Sequence, residues 1–382
     1  MIQSTYFDYA AATPMLPEVT KAMQPYFSDY FYNIGGLYSA ARQVKQDVQQ
    51  ARHAIAQTIG AKPSEIIFTA GGTEANNLAV CGVMQLHAHS HLVTSTIEHE
   101  SVLQPARRYN CSFIAVDNNG YINKASLENS ITNTTVLVSV MMANNEIGTI
   151  NDIKTIADIV RRHRQERHKS GNTLPLYLHT DACQAVNYVD IHVARLGVDM
   201  LTLNAGKIYG PKQMGALYIR TGVNIQPLVY GGGQERGLRS GTHNVANIVG
   251  FATALQAVRA DMTAETKRLE LLQKYCIANL QTIDGLSLNG PEAGRRLANN
   301  VHVTIANTDN ERIVMELDER GIQVATGSAC SASSAEPSHV LRAIGLSEAA
   351  SRSSIRITFG RYSKKSDCER LVEALKDLVA KY

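Results

Sequence analysis

The stretch FTAGGTEANNLAV, residues 68–80, joins an apolar run to a helical pattern through two glycines and a threonine. A strand that enters a helix through such a turn leaves free N–H groups and the positive helix end facing a ligand, which makes an anion site. A plain strand-to-helix turn capped by Thr73 explains the same residues equally well. The stretch therefore predicts a β–turn–α unit, with Gly72 and Thr73 as candidate anion-binding residues.

The sequence on both sides repeats this alternation of strand and helix. Short β-rich runs are separated by helical or polar stretches; the runs are IIFTA (66–70), HLVTS (91–95), SFIAV (112–116), TVLVSVMM (135–142), LYLHT (176–180), MLTLN (200–204) and GALYIR (215–220). Such alternation predicts an α/β fold with a mostly parallel seven-stranded sheet flanked by helices. Ligands of these sheets bind at the carboxyl ends of the strands.

The pattern changes after about residue 260. A helix near Glu265–Leu280 is followed by NVHVTI (300–305), a helix over 310–320, SSIRITFG (353–360) and a final amphipathic helix. This order predicts a smaller α+β C-terminal domain. We expect a large domain over residues 15–258, and a small domain formed by residues 1–14 together with 259–382.

Composition limits the classes of function. The net charge of +3 on 382 residues is too small to indicate a nucleic-acid partner. The N-terminus has no signal-peptide pattern, and no apolar run approaches the roughly 18 residues of a membrane span. The six cysteines are scattered without a CxxC pair, which argues against disulfides and a metal site. We expect a cytoplasmic protein that binds neither membrane nor nucleic acid.

Two further stretches carry reactive side chains. Asp181, in LHTDACQAV (178–186), ends an apolar strand, where a carboxylate is costly unless it has a partner. It is either a satisfied buried aspartate or a carboxylate that faces a protonated ring nitrogen. Lys207, in LTLNAGKIYGPKQMG (201–215), is either a surface lysine of a Gly-Pro turn or a desolvated amine nucleophile. A phosphate cradle, such an aspartate and such a lysine on one parallel sheet are what pyridoxal phosphate requires.

These residues and the stretches around them resemble the class V aminotransferase group, and within it the cysteine desulfurases of the NifS/IscS type. The resemblance covers nearly the full length, and the matching stretches are YFDYAAATP (6–14), GGTEANNLA (71–79), IEHESVL (97–103), ANNEIGTI (143–150), HTDACQAV (179–186), KIYGPK (207–212), GGGQERGLRSGT (231–242), GSACSA (327–332) and SSIRITFGR (353–361). It implies the fold type I of pyridoxal-phosphate enzymes.

The resemblance also implies roles for residues around the cofactor. Lys207 matches the lysine that carries the cofactor as a Schiff base and moves the Cα proton of the substrate. Asp181 would pair with the pyridinium nitrogen, and Gln184 would donate to the ring oxygen. His99 would stack on the ring and take part in catalysis. Gly72 and Thr73 would hold the phosphate.

Other matched residues are expected to bind substrate or to act across subunits. Asn145, which also borders the cofactor, and Arg356 resemble the residues that grip the substrate carboxylate, with help from Asn33. Arginine suits this role because its planar fork binds a carboxylate bidentately. Thr242 matches a residue that reaches the phosphate of the partner subunit. The resemblance therefore implies a homodimer with shared active sites.

Cys330 lies in ATGSACSASS (325–334), a stretch of small and hydroxylated residues with little apolar surface to bury. In the family, the thiolate of such a loop cysteine attacks the sulfur of L-cysteine, which leaves an enzyme persulfide and releases L-alanine. The thiolate is the attacking form. The persulfide sulfur would pass to an acceptor protein, either an iron–sulfur scaffold or a tRNA-thiolation protein.

The chain departs from the family beside the lysine. Asn204 and Gly206 stand where the family usually has a serine and a histidine that donate to the phosphate. We still expect both positions to border the cofactor, with a loss of roughly 1.5–3 kcal/mol for one missing charge-assisted donor. Three alternatives stay open: another class V aminotransferase or lyase, a selenocysteine lyase, and a weakly active sulfur-carrier or partner-binding homologue.

Overall fold

The structure is a computed structural model that describes residues 5–87, 89–327 and 337–381. The strands β1 to β12, in chain order, are Thr5–Tyr6, Ile66–Thr69, His91–Ser95, Asn110–Ile114, Thr135–Ser139, Tyr177–Asp181, Met200–Asn204, Gly215–Ile219, Leu286–Leu288, Asn300–Ile305, Ile322–Gln323 and Ser354–Thr358. The helices α1 to α14 are Pro17–Met23, Pro25–Ser28, Ser39–Ile59, Gly72–Leu86, Glu100–Ala106, Lys124–Ser130, Ile153–Lys169, Val193–Leu196, Val245–Ala260, Met262–Leu280, Asn310–Glu319, His339–Ala343, Glu348–Arg352 and Lys365–Val379. None of the helices in these ranges is long and apolar enough to cross a membrane.

A seven-stranded sheet with the order β2-β8-β7-β6-β5-β3-β4 forms the centre of the fold. The neighbours from β4 to β7 pair in parallel, whereas β8 is antiparallel to both β7 and β2. Six strands therefore point the same way, and their carboxyl ends share one edge. The predicted mostly parallel seven-stranded sheet is confirmed.

Burial on both faces explains why these strands are nearly continuous apolar runs. Every residue of β2, β3, β5 and β8 is buried. One apolar cluster packs α3, α7 and α9 against the sheet, and a second packs α4 against it. Helices thus cover both faces, as the alternating pattern predicts.

The predicted run TVLVSVMM (135–142) is longer than the observed strand β5. Beyond Ser139 the chain leaves the ladder, although the Met142 N–H still donates to the Asp181 carbonyl at 2.9 Å. Met141 then lines a cavity at this edge of the sheet. The end of the apolar run therefore forms part of the cavity wall.

Two smaller sheets lie in the remaining sequence. One has the order β12-β10-β9 and is antiparallel, and the other pairs β1 with β11 in parallel. A separate apolar cluster joins them to α10, α11 and α14 and includes Phe7 from the N-terminal segment. This is the predicted α+β C-terminal part. Its division from the rest at residues 14 and 258 stays a prediction.

Candidate active site

The candidate site lies at the carboxyl edge of the central sheet. His99, Asn145, Asp181 and Lys207 follow or end β3, β5, β6 and β7, and all four line one cavity. Its volume of about 200 Å³ is several times the ~30 Å³ that one water molecule occupies in the liquid. The cavity therefore admits an organic molecule, at the place where such sheets bind ligands.

The anion cradle forms at the start of α4. Gly72 and Thr73 occupy the first turn of this 15-residue helix and line the cavity. A Cβ at Gly72 would lie 2.8 Å from Cys183 Sγ, so only glycine fits here without a shift. The same point is 3.4 Å from Asn204 Nδ2, which places an amide donor beside the helix end.

Asn204 is held in a fixed orientation. Its Oδ1 accepts from the Gly206 N–H at 3.0 Å, which caps the short 3-10 turn Ala205–Lys207. Because Oδ1 is bound in this way, the Nδ2 donors face the cradle. Gly206 itself does not line the cavity among the described residues, and its N–H is already committed to Asn204.

Asp181 and His99 are joined by a chain of hydrogen bonds through two residues that the sequence did not reveal. Asn76 Nδ2 donates to Asp181 Oδ2 at 2.7 Å and to Ser101 Oγ at 2.8 Å. Ser101 Oγ lies 2.7 Å from His99 Nδ1, and the Ser101 N–H donates to the same nitrogen. A backbone N–H can only donate, so Nδ1 is an acceptor and neutral His99 carries its proton on Nε2.

The environment of Asp181 suits a cationic ligand. Asp181 is 8% exposed, and the other oxygen of its carboxylate accepts from the Cys183 N–H at 2.8 Å. Both hydrogen-bond partners within the described residues, Asn76 and Cys183, are neutral. A buried carboxylate is costly unless a charge or several donors face it. The cavity side of Asp181 is therefore a place for a protonated nitrogen.

The N-terminal segment supplies the partners of Lys207. Its Nζ donates to the carbonyls of Ala10 and Ala11 at 2.8 and 2.6 Å. Gln184 Nε2 donates to the same Ala10 carbonyl at 2.9 Å. These acceptors orient the lysine amine at the cavity wall. Nothing in the sequence near Lys207 indicates that residues almost two hundred positions away would do so.

Arg356 is the cationic end of the cavity. It is 1% exposed, and its guanidinium donates to Asp8 Oδ1 at 2.7 Å and to the Asn145 carbonyl at 3.1 Å. Its Nε is buried with no hydrogen-bond partner in the described part of the chain. A buried guanidinium with an unsatisfied donor is suited to a carboxylate.

Besides Gly206, two predicted site residues within the described part of the chain do not line this cavity. Asn33 is exposed, and its side chain accepts from the Gly35 N–H. Thr242 lines a different depression, together with Glu235 and His243. Cys330 lies outside the described residues. The roles predicted for these three residues, like those of the cavity residues, stay predictions.

The whole arrangement has a known counterpart. The profile of the family described as aminotransferase class-V matches residues 5–371, so the chain belongs to this family. The protein named cysteine desulfurase IscS of Dictyoglomus turgidum is 40% identical to it over 389 residues, covering 100% of this chain and 96% of the relative. The predicted resemblance to cysteine desulfurases is confirmed.

Solved structures agree with this assignment. A structure named NifS-like protein superposes with a TM-score of 0.91 at 28% identity, and all of both chains is covered. A structure described as SspA in complex with cysteine has a TM-score of 0.79 at 35% identity, covering 94% of this chain and 100% of that one. The predicted α/β fold is therefore confirmed by similarity as well as by topology.

Proposed function

We propose that the chain is a cysteine desulfurase that converts L-cysteine to L-alanine and keeps the sulfur as a persulfide on Cys330. The observation that carries the proposal is the cavity in which Lys207, Asp181 and Arg356 meet. An amine, a buried carboxylate and a carboxylate-binding guanidinium at one site suit an amino-acid substrate. The similarity to cysteine desulfurases over the whole chain supports the same conclusion.

The residues present fit pyridoxal phosphate. Gly72, Thr73 and Asn204 would hold the phosphate, since two lie at a helix N-terminus and the third has its amide donors fixed toward it. Asp181 would pair with the ring nitrogen, because its own partners are neutral. Asn76 Oδ1, at the cavity wall, is buried without a partner among the described residues, which leaves an acceptor for a ligand there.

The side chains around this cofactor would divide the work. When bound, pyridoxal phosphate supplies an electron sink that weakens the bonds around the substrate Cα. Arg356 and Asn145 would hold the substrate carboxylate, and Lys207 Nζ would hold and move the Cα proton. His99, with its proton on Nε2, would stack on the ring and donate from that nitrogen.

Cys330 would perform the sulfur transfer as a thiolate. Its sulfur attacks the sulfur of the substrate, so a new S–S bond forms while the substrate C–S bond breaks. The electron pair of the broken bond goes to the substrate carbon, which takes up a proton. L-cysteine and an enzyme thiol thus give L-alanine and an enzyme persulfide, without an external oxidant.

A comparison of three proteins tests this proposal. Wild type, Cys330→Ala and Lys207→Ala are loaded with pyridoxal phosphate and given L-cysteine. We expect both variants to lose alanine formation, and wild type alone to gain the mass of one sulfur on Cys330. If Cys330→Ala forms alanine as fast as wild type, the proposed mechanism is wrong. L-selenocysteine as a second substrate tests the selenocysteine lyase alternative.

A homodimer with shared active sites is part of the proposal. Large apolar side chains are exposed around α2 and the segment after it, among them Phe27, Phe31, Leu37 and Tyr38, and Tyr230 is 75% exposed. Patches of this kind mark protein interaction sites. Thr242, away from the cavity of its own chain, would then reach the phosphate of the partner subunit, and Asn33 lies within the same exposed segment.

The sulfur acceptor and the location complete the proposal. The persulfide would pass to an acceptor protein of iron–sulfur cluster assembly or tRNA thiolation, and the exchange would take place in the cytoplasm. Recovery of a labelled sulfur atom from cysteine on a purified scaffold or thiolation protein would identify the acceptor.

A further inference from the structure

One buried carboxylate binds a residue after the segment that carries Cys330 and lies close to the residue before it. The described chain ends before this segment at Gly327 and resumes after it at Pro337. Glu146, which is 1% exposed, lies against Gly327 on one side and binds Ser338 on the other. It directly follows Asn145, one of the residues proposed to hold the substrate.

The contact after the segment is a short hydrogen bond. Ser338 Oγ donates to Glu146 Oε2 at 2.6 Å and accepts from the backbone N–H groups of Val340 and Leu341 at 3.1 and 3.3 Å. The same hydroxyl therefore caps α12 and fixes it to Glu146. Apolar side chains of α12 pack on those of the loops that carry His99 and Asn145; the residues are Ile97, Met141, Ile147, Val340, Leu341 and Ile344.

Before the segment, Glu146 lies close to Gly327. A Cβ at Gly327 would lie 3.5 Å from Glu146 Oε2, so the carboxylate faces the side of this residue where a side chain would be. The φ of +149° at Gly327 is one that residues with a side chain rarely adopt. Two residues earlier, Ala325 exchanges both backbone hydrogen bonds with Arg356, at 3.1 and 2.7 Å.

Glu146 is itself held rigidly. Its N–H donates to Asn144 Oδ1 at 2.8 Å, and its carbonyl accepts from Asn300 Nδ2 at 2.8 Å. Within the described residues, the hydrogen-bond partner of its carboxylate is the neutral Ser338. Burying a carboxylate without a cation is costly, so the hydroxyl donor of Ser338 matters to this side chain.

We propose that Glu146 is a positioning residue for sulfur transfer, because its carboxylate binds Ser338 on one flank of the Cys330 segment and lies close to Gly327 on the other. We call this arrangement of Glu146, Ser338 and Gly327 the clasp. The clasp would fix the position of these flanks relative to Asn145 and Arg356, the two residues proposed to hold the substrate carboxylate. The inference rests on the proposed function of Cys330. Glu146 is not among the described residues that line the cavity, so it would act through the placement of the flanks.

The test measures single-turnover alanine formation by the holoenzyme with L-cysteine. We expect Glu146→Ala and Ser338→Ala to slow this step by about tenfold to 100-fold, the cost of misplacing a reacting group. The change in visible absorbance on cysteine binding should keep its wild-type concentration dependence. Glu146→Gln keeps an oxygen that accepts from Ser338 and should restore most of the rate.

A matched control separates the clasp from helix capping. Ser347 caps α13 by accepting from the Ala350 N–H at 3.2 Å, as Ser338 caps α12, but it does not contact Glu146. Ser347→Ala should therefore leave the rate unchanged. The double variant Glu146→Ala/Ser338→Ala should be no slower than the slower single variant, because both changes remove the same hydrogen bond.

These experiments test the role of Glu146 independently of the proposed function of the protein. Any one of three results would overturn the clasp. The rate of Glu146→Ala could stay within about twofold of wild type, or Ser338→Ala and Ser347→Ala could lose rate equally. The third is a double variant whose rate loss is the sum of the two single losses in free energy. If Glu146→Ala does not fold, the two serine variants decide alone. Full activity of Cys330→Ala overturns the proposed function itself, whereas an inactive Cys330→Ala beside a normal Glu146→Ala overturns only the clasp.

Discussion

At the scale of single residues, Asn76 links the two ends of the proposed cofactor ring site. Its amide binds the Asp181 carboxylate on one side and, through Ser101, His99 on the other. One neutral side chain thus fixes the carboxylate that would meet the ring nitrogen and, through the Ser101 hydroxyl, helps to hold the histidine that would stack on the ring. A substitution here should disturb both at once.

We therefore expect Asn76→Ala to lower kcat at least about tenfold. The substitution leaves a buried Asp181 oxygen without its donor, and an unsatisfied buried group costs about 1–3 kcal/mol. Ser101→Ala breaks only the histidine branch and should have a smaller effect. Nitrogen NMR of His99 in protein without cofactor should show Nε2–H in wild type and in both variants, because the Ser101 backbone N–H still donates to Nδ1. Asn77→Ala is the control, since Asn77 donates to the backbone carbonyls of Thr73 in α4 and Ser101 in α5 and not to a side chain of this hydrogen-bond chain; an equal loss of kcat there would contradict the assignment.

At the scale of elements, Glu235 joins a helix, a strand and the glycine-rich loop. It pairs with Arg52 of α3 at 2.5 Å, accepts from the Phe68 N–H of β2 at 2.8 Å and binds His243 at 2.8 Å. Burial alone would raise the pKa of Glu235, but the hydrogen bonds from His243 and Arg52 outweigh it and lower the pKa to about 2. The loop that carries Thr242 is thereby tied to the central sheet.

The pKa of Glu235 is lower in the folded protein than in the unfolded chain. Its ionised carboxylate therefore stabilises the fold above the ordinary carboxyl pKa of 4.5, and this stabilisation is lost as the pH falls toward 2. Glu235→Gln should therefore lower the free energy of unfolding near neutral pH, by an amount on the order of 3 kcal/mol. The deficit should shrink as the pH falls from about 5 to about 3. Urea unfolding across this range measures it. Glu348→Gln, which breaks an exposed pair with Arg352, should show no such dependence; a deficit in Glu235→Gln that is equal at every pH would contradict the explanation.

At the scale of the whole molecule, the exposed apolar segment around Phe31 predicts a dimer in solution. Sedimentation velocity should give twice the chain mass for wild type. Phe31→Glu together with Leu37→Lys should give monomers, because both side chains are more than 60% exposed in the single chain and would be buried in the interface. Met315→Glu, a similarly exposed residue elsewhere on the surface, is the control. A monomeric wild type would contradict the proposal of shared sites.

The local sequence predicts the sheet well, because each strand is a buried apolar run between clear turns. HLVTS and MLTLN coincide with β3 and β7, and residues at strand ends such as Asp181 and Lys207 are found together at the sheet edge. Asn76, Ser101 and Asp8 were not predicted, although all lie in stretches that match the family. A single sequence does not show which neutral polar side chains face a cavity, nor that Asp8 meets Arg356 across 348 positions.

The carbonyls that hold Lys207 have a consequence for folding. They belong to residues 10 and 11, which follow strand β1. Strand β1 pairs with β11 at residues 322–323, and Asp8 bridges to Thr358. During synthesis the first residues to emerge must therefore wait for nearly the last before they find their partners. The central sheet has all its strands by residue 219, yet the cavity closes only when the C-terminal strands have formed. Capture of the proposed cofactor would then be a late event in folding.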